Sequence, residues 1–366
     1  MAEIQLKSLA HSYSANPSGP GDYAIRQLDH VWHKGGAYAL LGPSGCGKST
    51  MLNIISGLVQ PSEGEVLFDG KRVNELSPRD RNIAQVFQFP VVYDSMTVFE
   101  NLAFPLKNNK VPAAKIKTRV QEIAEVLEIE DKLHKKAKNL TADEKQKVSM
   151  GRGLVREDVS AILFDEPLTV IDPQLKWKLR RKLKQIHEQF DITMVYVTHD
   201  QLEASTFADR IAVMFDGQVV QFGTPTELFE APNHTFVGYF IGSPGMNILE
   251  VERCQGGVRF DSTELRLEPW QSEILGGMKS DNLKIGIRPE FIEISPVMSD
   301  DTYAAEVRDV EDLGTYKIVT VKLGEQQMKV RQSEEFDAGI GSQVNLLFPG
   351  QWLMLYVDEF LVQEQQ

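Results

Sequence analysis

Residues 42–50 read Gly42-Pro43-Ser44-Gly45-Cys46-Gly47-Lys48-Ser49-Thr50, which fits the pattern of a phosphate-cradling P-loop. The run before it, Ala37–Leu41, is short and apolar, as a buried strand should be. The run after it, Met51–Gly57, places Leu52 and Ile55 at helical spacing and closes on glycine. That strand–loop–helix context separates a nucleotide site from an ordinary glycine-rich turn. Gly42, Gly45 and Gly47 let the backbone curl so that its N–H groups converge on phosphate oxygens. Lys48 is placed to reach the outer phosphates and Ser49 to offer a hydroxyl to Mg²⁺. The helix N-terminus that follows favours an anion. Pro43, Ser44, Cys46 and Thr50 complete the expected nucleotide-binding loop.

The remaining bulk properties narrow the class. At 366 residues the chain accommodates two or three domains. A formal net charge of −13 argues against broad nucleic-acid binding through a basic face. No apolar run approaches the roughly 18 residues of a membrane-spanning helix. The start, Met-Ala-Glu-Ile-Gln-Leu-Lys, lacks the charged and apolar blocks of a signal peptide, so a cytosolic chain is expected. The two cysteines, Cys46 and Cys254, do not make a disulfide framework.

Along residues 1–240, short apolar runs alternate with helical stretches, the α/β pattern of a parallel sheet. Strands are expected at Ile83–Phe87, Ala161–Phe164, Met194–Val197 and Ile211–Phe215, and helices at Ala114–Leu127, Glu144–Val155 and Leu175–Gln189. The stretch Phe240–Asn247, Phe-Ile-Gly-Ser-Pro-Gly-Met-Asn, reads as a linker. Beyond it Val319, Val321 and Leu323 alternate with polar residues, and Met328 and Val330 follow a short turn. With strands expected also at Lys284–Ile287 and Val344–Phe348, the tail reads as a small β-barrel or sandwich.

Three further strand ends carry chemistry. Ala161-Ile-Leu-Phe-Asp165-Glu166 is an apolar strand ending in two acids. Such a strand delivers its last residues to the carboxyl edge of the sheet, where α/β folds bind ligands. Asp165 is placed to hold Mg²⁺, directly or through water, and Glu166 to accept a proton from an attacking water. Phosphoryl transfer needs positioning and charge stabilisation, hence a metal-holding acid and a water-orienting acid. His199, after the strand Val195–Thr198, is placed to hydrogen-bond a terminal phosphate oxygen or the water. Gln88 closes a strand at 82–87 and brings an amide toward the metal and water. Tyr13 in the first loop is a candidate to stack on an adenine, with Tyr23 as its competitor. Taken singly, an Asp-Glu pair at a strand end is more often structural and a glutamine there is weak evidence; a lone histidine is usually structural too, but the place of His199 at the end of a core strand favours function. Their company with the P-loop favours the functional reading.

The order P-loop, Gln88, Asp165-Glu166, Asp172, His199 resembles the ATPase subunit of an ABC transporter. Val86-Phe-Gln-Phe-Pro with Met96-Thr-Val-Phe-Glu-Asn-Leu-Ala-Phe-Pro-Leu resembles the maltose-type importer branch, as do Phe240–Asn247 and Ile285-Gly-Ile-Arg-Pro-Glu. This resemblance implies an α/β P-loop NTPase core at 1–240, with a helical subdomain at about 89–156, and a small all-β OB-like regulatory domain at 241–366. It implies an ATPase using ATP and Mg²⁺ at the cytoplasmic face of the cell membrane. The partners implied are a second ATPase subunit, two transmembrane permease subunits and, indirectly, an extracytoplasmic solute-binding protein, with no nucleic acid. The expected cargo is a carbohydrate or polyol, with glycerol as a candidate.

One segment departs from the family. Leu140-Thr141-Ala142-Asp143-Glu144 stands where Leu-Ser-Gly-Gly-Gln is usual, the segment that in the family meets the nucleotide held by the partner. Thr141 and Glu144 retain a capping box. Ala142 and Asp143 put side chains where glycines permit close approach. Asp143 and Glu144 set negative charge against a phosphate and offset the helix-end potential. The site completed by this segment is therefore expected to be weak, and the partner is expected to be an unlike ATPase with a regular signature. Thr169-Val170-Ile171-Asp172 also departs from the family's usual residues while keeping Asp172. Two other readings compete: a nucleotide-gated regulator that scarcely hydrolyses ATP, and a soluble ABC ATPase unconnected with transport.

Overall fold

The computed structural model describes residues 1–364 except 256, 262 and 300. The chain divides into two compact units, Met1–Pro225 and Thr226–Gln366.

In the first unit β1 (Ile4–Ser12), β2 (Tyr23–Trp32), β3 (Ala37–Leu41), α1 (Lys48–Ser56), β4 (Glu63–Phe68), β5 (Lys71–Arg72) and β6 (Ile83–Val86) come first. Then follow α2 (Val98–Asn108), α3 (Ala113–Val126), α4 (Ala142–Leu154), β7 (Ala161–Asp165), α5 (Pro173–Phe190), β8 (Met194–Thr198), α6 (Gln201–Phe207), β9 (Arg210–Phe215) and β10 (Gln218–Gly223). The strands form two sheets. One is a four-stranded sheet in the order β2-β1-β4-β5, and the other is six-stranded, β10-β9-β3-β8-β7-β6. In the larger sheet every pair from β9 to β6 is parallel. Strands buried on both faces must be apolar at every position, and all five residues of β3 and of β8 are buried. The antiparallel four-stranded sheet has no counterpart in the sequence reading. Its strands mix buried and exposed positions irregularly, with register shifts along β1, so neither alternation nor a continuous apolar run announces them.

Helix α1 lies in the apolar cluster shared by both sheets, where Met51, Leu52, Ile54 and Ile55 meet Leu40, Val195 and Val66. Helices α2, α3 and α4 form the helical part of the unit between β6 and β7. Helix α2 starts at a capping box formed by Thr97 and Glu100. Asp172 caps α5 by accepting from Gln174 N, with Pro173 at the first turn, where its missing N–H costs nothing. Leu179, Leu183 and Ile186 are the buried stripe of α5, each contributing about 1.5–3 kcal/mol by burial.

The second unit contains α7 (Pro225–Glu230), whose first residue closes the other unit, and α8 (Thr235–Phe240). After these come β11 (Asn247–Cys254), β12 (Gly257–Phe260), β13 (Thr263–Arg266), α9 (Pro269–Gly277), β14 (Leu283–Ile287), β15 (Glu293–Ser295), β16 (Thr302–Asp312), β17 (Lys317–Leu323), β18 (Gln326–Gln332), β19 (Gln343–Leu347), β20 (Met354–Val357) and β21 (Phe360–Leu361). The orders β13-β12-β11-β14-β20-β21 and β15-β19-β16-β17-β18 are antiparallel throughout and enclose a second apolar core. This is the small OB-like β domain, with the added helix α9. Arg288 is fully buried and donates to Leu228 O, Phe229 O and Ile241 O while lying over the Phe229 ring. It fastens residues 226–241 to the β domain, so α8 folds with the tail. Burial pushes its guanidinium down to about 10, leaving it charged at neutral pH.

Candidate active site

Because β3, β6, β7 and β8 run parallel, the residues after each strand emerge at one edge of the sheet. The loop 42–47 leaves β3 and wraps the start of α1. Gly47 caps that helix with φ +103°, and a Cβ there would stand 2.4 Å from Ala24 O. A Cβ at Gly42 would stand 2.3 Å from Met214 O. Neither position tolerates a side chain without moving backbone, so the loop's curvature requires glycine. Ser44, Gly45 and Ser49 lie exposed at the mouth, whereas Cys46 and Lys48 are buried. Lys48 Nζ donates to Gly42 O at 2.9 Å and to Pro43 O at 2.8 Å, so the loop's own carbonyls hold its ammonium at the cradle.

Two contacts tie the edge together, one from the first turn of α1 to the end of β7 and one between strand ends. Ser49 Oγ donates to Asp165 Oδ1 at 3.0 Å. Burial pushes the Asp165 carboxyl up, the Ser49 hydrogen bond opposes this, and the charge of neighbouring Glu166 raises it further. His199 Nδ1 lies 3.2 Å from Glu166 Oε1. Glu166 itself has φ +45°, an uncommon left-handed conformation for a residue with a long side chain. Glu166 N donates to Val197 O, and Thr169 Oγ1 donates to Glu166 O at 3.0 Å and lies 3.4 Å from its Oε2. The turn at the candidate base is thus held from β8 and from the Thr169 hydroxyl.

The other predicted residues fall into place unequally. Gln88 lies in a bend two residues past the end of β6 and makes no hydrogen bond to another described residue. Tyr13 is exposed, with its hydroxyl 3.2 Å from Thr50 Oγ1 and its ring edge-on to His11 at 4.6 Å. Tyr23 instead donates to Glu63 Oε1, which leaves Tyr13 as the ring beside the P-loop helix. Thr50 meets Tyr13, and Asp172 serves as the cap of α5.

At the altered signature, Thr141 and Glu144 form the capping box, with Glu144 N donating to Thr141 Oγ1 at 3.3 Å and Thr141 N to Glu144 Oε2 at 2.9 Å. Helix α4 begins at Ala142. The charge is distributed differently from the expectation. Glu144 pairs with Lys132 at 3.3 Å and Lys135 at 3.9 Å. Burial opposes ionisation of Glu144, yet Thr141 N–H and Lys132 hold its carboxyl below the usual carboxylate range. Asp143 lies 4.0 Å from Lys147. Burial pushes its acid up, Lys147 opposes this, and the charges of Glu144 and Asp172 add to the rise. Local lysines therefore absorb part of the negative charge that the sequence set against a phosphate.

Comparison with known proteins matches three family models: ABC transporter over residues 25–169, MalK OB fold domain over 242–292, and TOBE domain over 285–355. The oligosaccharides import ATP-binding protein MsmX of Bacillus subtilis is 36% identical, covering 95% of each chain. The sn-glycerol-3-phosphate import ATP-binding protein UgpC of Bordetella avium is 37% identical over 94% of each. The trehalose/maltose import ATP-binding protein MalK of Thermococcus litoralis is 40% identical over 86% of this chain and 90% of its own. The chain belongs to the maltose-type family of ABC transporter ATP-binding subunits. Among solved structures, the ATP-binding cassette MJ0796 in a post-hydrolysis state with ADP and Pi superposes with a TM-score of 0.54. It shares 30% identity and covers 60% of this chain and 98% of its own. CbiO1 of Clostridium perfringens gives a TM-score of 0.56 at 28% identity over 62% and 90%.

As an ABC ATPase, the protein uses ATP with Mg²⁺, and the residues present fit the metal. Ser49 Oγ and Asp165 Oδ1 are hard oxygen donors on adjoining elements. Among the described residues no group of three or more His, Cys, Asp or Glu could hold a metal ion. Two protein oxygens, with phosphate and water completing the shell, suit Mg²⁺.

Sequence reasoning missed the supports behind these residues. Arg81 is buried and donates to Ile54 O, Ile55 O and Asn74 O, closing the C-terminal end of the P-loop helix. Glu203 is buried and accepts from Tyr196 Oη and Thr198 Oγ1 just before His199, with Lys176 of α5 at 3.4 Å. Gln146 of α4 is the third. An isolated buried arginine, glutamate or glutamine carries no signature pattern, so only the packed chain reveals these.

Proposed function

We propose that this chain is the ATP-hydrolysing subunit of an importer for a carbohydrate or polyol, working at the cytoplasmic face of the membrane with two permease subunits and an extracytoplasmic solute-binding protein. The observation that carries hydrolysis is the convergence of Lys48, the Ser49–Asp165 pair and the Glu166–His199 pair at one sheet edge. Transport of sugars or glycerol phosphate is supported by the near full-length similarity to import ATP-binding proteins. In the described chain no helix is long and apolar enough to cross a membrane, so the path for solute is assigned to partner subunits.

In the proposed mechanism the N–H groups of the 42–47 loop and the start of α1 receive the phosphates. Lys48 exchanges carbonyl oxygens for phosphate oxygens. Mg²⁺, held by Ser49 and Asp165, supplies charge neutralisation on the phosphates. Glu166 orients the attacking water and accepts its proton. His199 donates Nδ1–H to Glu166 and so fixes the carboxylate. In a neutral ring Nε2 is then an acceptor, and only the imidazolium donates to a phosphate oxygen. Gln88 is assigned to the water and metal, and Tyr13 to the adenine face.

The partner in the closed dimer is proposed to be an unlike ATPase. Ala142 and Asp143 support this by placing side chains at the first turn of α4, where a phosphate would approach. The charges of Asp143 and Glu144 oppose a phosphate less than the added side chains do, because Lys132, Lys135 and Lys147 pair with the acids.

Glu166→Gln in the assembled transporter is expected to abolish solute uptake into proteoliposomes while a fluorescent ATP analogue still binds. Uptake at the original rate would assign the chemistry to the partner's site or to another base.

A further inference from the structure

Gln146 is completely buried in α4. Its Nε2 donates to Phe87 O at 3.1 Å and to Pro167 O at 2.9 Å. Phe87 immediately precedes Gln88, and Pro167 immediately follows Glu166. Gln146 Oε1 is buried with no hydrogen-bond partner among the described residues. An amide can satisfy four hydrogen bonds, and leaving the oxygen orphaned carries a desolvation cost. The position therefore requires two donors from one nitrogen, directed at two backbone segments that do not touch each other in sequence.

The same face of α4 grips the segment after β6 at further points. Ser149 Oγ accepts from Val91 N at 3.1 Å, and Arg152 donates to Val91 O and lies over the Tyr93 ring. Of these three side chains, Gln146 is the one that also reaches the β7 side. There it holds the turn in which Glu166 has φ +45°. A strained backbone persists only where its surroundings over-determine it, and the carbonyl of Pro167 is one of the points that do so.

We propose that Gln146 is a positioning residue for ATP hydrolysis: its amide locks the backbone beside Gln88 and beside Glu166 into one geometry, so that any displacement of α4 reaches both. This inference rests on the assignment of Glu166 and Gln88 in the proposed function. It adds a device by which the helix begun at 141–144 governs the chain's own hydrolytic residues.

The test is steady-state ATP hydrolysis by the purified transporter complex, expressed per nucleotide site titrated with a fluorescent ATP analogue. Gln146→Met keeps the side-chain length and removes both donors. It is expected to lower kcat roughly tenfold to a hundredfold, the range that follows from small misplacements of reacting groups, with KM for ATP within about twofold of the original. Gln146→Glu, which sets a carboxylate against two carbonyl oxygens, is expected to be at least as slow. Combined with Gln88→Ala, Gln146→Met is expected to cost less than it does alone, because the two act through one segment. A kcat per site within about twofold of the original, a parallel rise in KM, or full additivity with Gln88→Ala overturns the proposal. Full turnover by a Glu166→Gln complex would instead remove the assigned base, and this inference with it.

Discussion

His30 on β2 illustrates how a single half-buried ring couples pH to stability. It packs edge-on against Trp32 and Phe222, each at 4.5 Å, and its Nε2 is buried with no hydrogen-bond partner among the described residues. Burial pushes its pKa down to about 4, against an ordinary value near 6.5. In the unfolded chain the ring protonates as pH falls through 6.5, whereas in the folded chain it stays neutral until about 4. Its stabilising contribution is thus complete above pH 6.5 and is lost as pH falls toward 4. His30→Phe is expected to remove on the order of 2 kcal/mol of the acid-side loss in urea unfolding between pH 7 and 4.5. An unchanged pH slope would show that His30 is solvated. At the same scale, the P-loop lysine and serine were legible because chemistry demands those residue types at that spacing. The hydrogen bond from Ser49 to Asp165 and the pairing of His199 with Glu166 link residues more than thirty positions apart, and the sequence could only place Ser49 in the P-loop and the other three at strand ends.

At the scale of elements, α4 is the helix on which the molecule's individuality depends. The capping box read at Thr141 and Glu144 is present, and the helix starts where it predicts. Thr141→Ala removes the side-chain acceptor for Glu144 N and is expected to cost about 1 kcal/mol in equilibrium unfolding of the full chain. Loss below a few tenths would mean that tertiary contacts alone set the helix start. Expected helices agree with the observed ones to within two residues at each end: Pro173–Phe190 for a stretch read as 175–189, and Ala113–Val126 for 114–127. Caps and prolines carry local instructions that survive without tertiary context. The antiparallel sheet of β1, β2, β4 and β5 was not read, because its side chains do not alternate cleanly between solvent and core. The pairing of Glu144 with Lys132 and Lys135 was also missed. Those lysines lie nine and more residues upstream, and the chain must turn before they face the acid.

At the scale of the whole molecule, the fold supplies one nucleotide-binding edge and, at the start of α4, a surface modified where the family has glycines. If that surface cannot complete a site, two copies of this chain should not clamp ATP between them. The isolated chain carrying Glu166→Gln is expected to keep ATP bound and to remain monomeric in sedimentation velocity with millimolar Mg-ATP. An ATP-dependent homodimer would overturn the unlike-partner assignment. The second unit contributes an independent core in which Arg288, from the Ile285–Glu290 motif, secures residues 226–241 through three carbonyls.

The P-loop, the apolar strands that end in acids or histidine, the cap of α4 and the tail's strand-rich pattern were all legible in the sequence alone, whereas the capping of α5 by Asp172 was not. Each of the legible features is a local rule of spacing, propensity or obligatory chemistry. Tertiary structure decided which strand ends meet, which ring lies beside the P-loop helix, how the charges at 143–144 are compensated, and that one glutamine amide joins the segments flanking Gln88 and Glu166. Those outcomes depend on distances between residues far apart in the chain, and such distances exist only after the parallel sheet has closed and the helical part has packed against its edge.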